Sequence, residues 1–160
     1  MAFKFIASLA VLASVSATTP AFAQDDGDAA LRFLGSTQWD CDDRIAFDGP
    51  EGGLHDTVSA LRVTFDDDWN FEGIFRTSLS LGTAIYTQEY DISGSAFDSA
   101  GRQGIVIDTF TKTERASLPE GIDWRNMAVA VYDIRLEGDA MGLDGAWQDT
   151  SGGYGPSECG

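Results

Sequence analysis

Few side chains in this chain could do chemistry, and they are scattered. His55 is the only histidine, set in a glycine-rich stretch (GGLHD) that reads as a loop. A lone histidine can serve as a base or a ligand, but zinc would need further His or Cys partners. Asp66-Asp67-Asp68-Trp69-Asn70 begins like a calcium loop. The sixth position is then Phe71 where glycine is needed, and the twelfth is Thr77 where glutamate is needed. An acidic hairpin turn is the better expectation. Asp40, Asp42 and Asp43 surround Cys41. Asp40 and Asp42 share an outward face and read as solvated, whereas alternation turns Asp43 inward, where a carboxylate needs a partner or a wet mouth. Glu72 and Glu89 fall on outward faces. Paired carboxylates could in principle hydrolyse a glycoside, but in so acidic a chain their presence carries little information. No nucleophile elbow, phosphate loop or dinucleotide fingerprint is present, so no catalytic residue, metal site or cofactor is expected.

The segments around these residues read as strands. Trp39, Cys41, Ile45 and Phe47 alternate with Asp40, Asp42, Arg44 and Asp48, a period of two. The pattern recurs over 58–65, 70–81, 84–92, 104–113, 127–136 and 141–147, with turn residues between. Within 104–113, Ile105 and Ile107 oppose Val106, Asp108 and Phe110, so that strand looks less one-sided. The loops fall at 48–53 (DGPEGG) and 116–126, and the tail 152–160 reads as irregular. About seven or eight strands following one another predict an all-β, antiparallel up-and-down meander, closed or nearly closed into a small barrel. A short helical turn is expected over Ala29–Leu34, with Asp28 able to cap it.

The start of the chain, MAFKFIASLAVLASVSATTPAFA, has a basic residue, an apolar run and a small-x-small ending. That is the layout of a cleavable secretory signal over residues 1–23. It leaves a loose acidic segment over 24–34 and one barrel domain over 35–160. No cysteine follows the expected cleavage point, so no lipid anchor is predicted there. Export would place the protein in the periplasm or outside the cell, an oxidising setting in which Cys41 and Cys159 are expected to form one disulfide. Such a bond requires the first strand and the tail to meet, as closure of a barrel would arrange.

Without residues 1–23 the chain has 26 acidic and 9 basic residues, a formal charge of −17. Nineteen of the acids are aspartates, and Lys112 is the single remaining lysine. Such a surface repels nucleic acid and anionic lipid and attracts cations or a basic protein. A membrane-spanning barrel is not expected either. The faces opposite the aromatic ones carry Asp40, Asp42, Arg62, Glu72 and Arg76, which a lipid-facing band does not tolerate.

Aromatic residues gather on the inward faces. Trp39, Phe71, Phe75, Tyr86, Tyr90, Tyr132 and Trp147 are the candidate ligand-binding residues, joined by Phe47 and Phe65. They could line a pocket for a small apolar ligand, entered between the loops at 48–56 and 116–126, or they could fill the interior.

With Gly35 and Trp39 at the entry to the first strand and a meander after it, the chain resembles the lipocalin and calycin group of small secreted barrels. It is similar in layout to the periplasmic metalloprotease inhibitors, which combine a signal peptide, a small barrel, an early tryptophan and one disulfide. Gly153-Tyr154-Gly155-Pro156 with Glu158 also resembles the closing segment of transferrin-binding-type surface barrels. These resemblances imply a binding barrel. The expectation is an exported module for a small apolar ligand, with a protein-interaction or inhibitor barrel as one alternative and a carboxylate hydrolase as another. A monomer is the simplest expectation, its partner a ligand or a periplasmic protein.

Overall fold

The computed structural model describes residues 22–48, 53–114 and 118–160. Most of the expected signal segment lies outside the described residues. Helix α1 (Phe22–Ser36) is followed by β1 (Trp39–Asp48), β2 (Gly53–Phe65), β3 (Asn70–Leu81), β4 (Ala84–Ser99) and β5 (Arg102–Glu114). Then come the two-residue β6 (Asp123–Trp124), β7 (Met127–Glu137), β8 (Ala140–Asp149) and β9 (Tyr154–Cys159). The strand order is β2-β3-β4-β5-β7-β8-β9-β1, all pairings are antiparallel, and β1 also pairs with β2. Eight strands therefore close into an up-and-down barrel with a helix before it. β6 stands outside the ring, paired to the far end of β1 through Phe47↔Trp124 and Asp48↔Asp123.

Alternation sets the core. Trp39, Cys41, Ile45 and Phe47 of β1 are buried, as are Leu61 and Val63, Phe71 and Phe75, Tyr90 and Ile92, and Ile105 and Ile107 on successive strands. Burial of each such side chain contributes about 1.5–3 kcal/mol. The mixed pattern of β5 has a local cause. Ser93 pairs with Thr109 but Gly94 pairs with Ile107, so Asp108 is an extra residue in the ladder. That bulge rotates Phe110 back to the core side. At the β4–β5 turn, Ala100 and Gly101 both have positive φ, 55° and 75°. These left-handed values match the twist of the two strands they join.

Three stretches differ from the sequence reading. The helix is 15 residues long, not one or two turns, because Ala30, Leu31 and Leu34 bury one stripe against the barrel and tertiary packing sustains what local propensity would not. The tail expected to be irregular is β9, whose backbone pairs with both β8 and β1. Its Gly155 and Pro156 weaken the local strand signal, but it occupies the closing position of the sheet. Finally, β2 begins at Gly53, so His55 lies on a strand rather than in a loop, opposite Ile45. Long pairing with β1 overrides the glycine-rich composition there.

The disulfide forms as expected. Cys41 and Cys159 are bonded, directly opposite in the β1–β9 register, with Cα atoms 4.0 Å apart.

Candidate functional site

The seven candidate ligand-binding residues all lie on the inner wall, but at different levels. Trp39 sits at the helix end, where its indole Nε1 donates to the Leu34 carbonyl at 3.1 Å and Phe33 packs against its ring. Phe71 is on the same side of the barrel as the β2–β3 turn, edge-on to Phe65, with ring centres 5.6 Å apart. Phe75 and Tyr90 meet in mid-barrel, and each packs against Phe110 at 6.1 and 5.8 Å. Tyr132 is fully inside, its hydroxyl 2.9 Å from that of Ser157. Trp147 is buried beside Gly155. Tyr86, nearer the opposite end, is only half-buried and packs against the core. The structure thus places Phe75 with Tyr90, and leaves Trp39, Phe71 and Trp147 in separate contacts.

Neighbouring glycines explain why such large rings fit. A Cβ on Gly155 would stand 2.6 Å from the Trp147 ring, and one on Gly145 would strike the Tyr132 ring. The absent side chains are the space that the rings occupy. Tyr90, Tyr132 and Phe75 retain 1, 1 and 2% of their surface. These rings are buried as core side chains are. Hollows of roughly 430 to 600 Å³ occur on the outside of the barrel. One is lined by α1 and the β2–β3 turn, including Asp28, Arg32 and Trp69. Another crosses β9, β1, β2 and β3, including Asp42, Val58, Ser80, Pro156 and Glu158.

Polar groups share the interior. Asp43 keeps 4% of its surface, and among the described residues neither carboxylate oxygen has a hydrogen-bond partner. Burial raises its pKa most strongly. The Ser157 and Ser59 hydroxyls nearby temper that rise without reaching good hydrogen-bond geometry, and the charge of Asp42 adds to it. The Ser59 and Thr77 hydroxyls, the Tyr90 hydroxyl and the Trp147 indole N–H are likewise buried without partners among the described residues. The tyrosines Tyr90 and Tyr132 are pushed above their ordinary pKa by burial, with the Asp43 charge adding to the shift of Tyr132.

Over 118–126 the end away from α1 is covered by residues that sequence reasoning did not single out. Trp124 of β6 is buried, its ring 4.4 Å from that of Phe47, and Leu118 and Ile122 pack beside it. Lys112 reaches over from β5 and donates to the Trp124 carbonyl at 2.6 Å. One of the two expected entrances is therefore covered, at least over 118–126. The remainder of that connection and the 49–52 loop lie outside the described residues. A tryptophan within a Pro- and Gly-containing connection was the available signal for this cap.

The acidic motifs have structural roles. Asp66 Oδ1 accepts from the Asp68 and Asn70 backbone amides, both at 2.9 Å, which spends it on the turn. His55 packs edge-on against Phe47, with ring centres 5.4 Å apart, and among the described residues no carboxylate is hydrogen-bonded to it. Among those residues no three His, Cys, Asp or Glu side chains are grouped to hold a metal. Glu89 is bound by Arg76 and Asp133 by Arg102 on the outer wall. Asp40, Asp42, Arg62, Glu72 and Arg76 are all exposed there. Among the described residues no helix is long and apolar enough to cross a membrane. Comparison of the chain with family models, with curated proteins and with solved structures returns no match.

Proposed function

We propose that this chain is exported, loses its first 23 residues and works as a binding barrel that meets a basic protein partner on its outer wall. The observation carrying this reading is where the room lies. The inner wall is occupied by its own rings, whereas the hollow across β9, β1, β2 and β3 is open, about 490 Å³, and floored by Val58, of which 59% is exposed. Its rim bears Asp42, Glu158 and Asp56, the last paired with Arg44, and the strong negative charge of the whole chain favours a cationic partner and speeds its encounter. A photo-crosslinking residue at Val58, in cells making the full chain, tests this. It should trap one basic protein, in a band that weakens at high salt. An equal pattern from Leu136, which is exposed elsewhere on the barrel, counts against the reading, as does no adduct at all.

A second reading, an internal site for a small largely apolar ligand, is favoured by a different observation. Asp43, Ser59, Thr77 and Tyr90 present polar atoms inside the barrel with nothing bonded to them among the described residues, and buried polar groups are normally satisfied. A guest carrying a hydroxyl or amide would satisfy them once the Trp124 cap moved. Native mass spectrometry of protein from its own cell envelope distinguishes the two, since only this reading adds a small fixed mass to the intact chain.

A further inference from the structure

An up-and-down barrel is completed where its first strand meets its last. Here that join is the shortest in the ring. β1 and β9 share three register pairs, whereas β5 and β7 share four and β8 and β9 share six. Each of the three pairs is unusual. Cys41 opposite Cys159 carries the disulfide. Asp42 opposite Glu158 sets two exposed carboxylates side by side, an arrangement that disfavours pairing. Asp43 opposite Ser157 turns a third carboxyl into the core, with neither oxygen bonded among the described residues.

We propose that this join is a proton-sensitive latch: with Asp43 protonated the first and last strands pair stably, and with Asp43 ionised the pairing loosens and the disulfide alone keeps the barrel shut.

The surroundings of Asp43 explain why its charge has nowhere to go. β2 presents Thr57 and Ser59 to it, β9 presents Ser157 and β7 presents Tyr132. Thr57 spends its hydroxyl on the Asp43 carbonyl, and Tyr132 and Ser157 bond each other. Two charged residues flank it on its own strand, Asp42 and Arg44, both on the outer face. Arg44 is paired with Asp56, whereas the charge of Asp42, with Glu158 opposite it, disfavours ionisation of Asp43. No arginine, lysine or histidine is bonded to Asp43 among the described residues. An isolated buried carboxylate is costly, so the folded state favours the neutral acid. The sign follows. Because the folded pKa lies above the ordinary aspartate value, the folded chain holds a proton that the unfolded chain releases. Stability from this group is complete below the unfolded value and falls as pH rises through the folded one. The disulfide, one pair away, then bears a larger share of closure at neutral pH than in acid.

The test uses the purified, disulfide-bonded protein with Asp43→Asn, which preserves shape and removes the charge. Thermal unfolding and the rate of disulfide reduction by a phosphine are measured at pH 4 and pH 7.5. At pH 7.5 Asp43→Asn should melt about 5 °C above the parent and be reduced about tenfold more slowly, a rate ratio equivalent to about 1.4 kcal/mol of opening free energy. At pH 4 the two proteins should nearly coincide. Equal behaviour at pH 7.5, or the same gain at both pH values, overturns the proposal. Should Asp43→Asn fail to fold, Ser157→Ala decides. Loss of a hydroxyl that tempers the carboxylate must lower the melting temperature more at pH 7.5 than at pH 4, and an equal loss at both refutes the latch.

Discussion

Asp149 stands at the end of β8 and shapes the turn that sends the chain into β9. Its side chain is almost wholly buried. Oδ1 accepts from the Ser151 amide at 2.8 Å, the Ser151 hydroxyl at 2.7 Å and the Gly153 amide at 2.9 Å. Oδ2 accepts from Arg125 at 3.2 Å, which ties the start of β7 to the same turn. Replacing Asp149 by alanine removes every one of these contacts and leaves two amides without a side-chain acceptor. Hydrogen bonds to a charged group contribute about 1.5–3 kcal/mol each, and those sharing one acceptor are not additive. The expected loss is therefore about 3 kcal/mol, or about 10 °C in melting temperature for a domain of this size. Asp149→Asn keeps an acceptor but no charge and should lose about half as much. The pH dependence carries a second check. Burial would raise the pKa of Asp149, but the Ser151 hydroxyl, the Gly153 amide, Arg125 and the Ser151 amide together hold it below the usual carboxylate value. A depressed folded pKa gives stability that is present above the unfolded value and lost as pH falls through the folded one. The gap between parent and Asp149→Asn should therefore narrow below about pH 4. Urea unfolding followed by tryptophan fluorescence at pH 7 and pH 3 measures both quantities. A cost for Asp149→Ala below about 0.5 kcal/mol, the level of an ordinary surface change, would refute the account of this turn.

Three further outcomes are expected. Removing the disulfide as Cys41→Ala with Cys159→Ala should cost about 4–5 kcal/mol in denaturant unfolding on the chain-entropy account, since the cysteines are 118 positions apart. Gly155→Ala places a methyl group 2.6 Å from both the Trp147 ring and the Arg44 carbonyl, so it should destabilise by about 1–3 kcal/mol and shift the near-ultraviolet circular dichroism of Trp147. Trp124→Ala uncaps one end of the barrel and should cost about 3 kcal/mol, accompanied by faster hydrogen exchange at Phe47 and Lys112.

The fold was legible because its main signal, alternation, is local and strong. Trp39 to Phe47 and Leu61 to Phe65 each show one apolar face, and the barrel follows from pairing such faces in chain order. The cysteine positions added the one long-range constraint, and β9 supplies the strand that this constraint needs. What could not be read depends on partners far along the chain. Gly155 and Pro156 argue locally against a strand, and only the facing backbones of β8 and β1 make one. Leu31 and Leu34 hold a four-turn helix because the barrel end lies beneath them. The rotation of Phe110 needs the bulge at Asp108, which alternation cannot foresee. For the candidate site, the inward placement of the aromatic residues and of Asp43 was readable. Their separation into contacts at different heights was not, since strand stagger sets which inward residues share a level.

Closure of the ladder around all eight strands also governs how this molecule can be recognised. A β-sheet with a free margin can accept a strand from another chain through its backbone amides and carbonyls, and it can equally recruit unwanted copies of itself. In the ring from β1 round to β9 every strand already has a neighbour on both sides. Selectivity toward any other macromolecule must then come from side chains projecting off a curved wall, so altering single residues there can retune it while the scaffold stays intact.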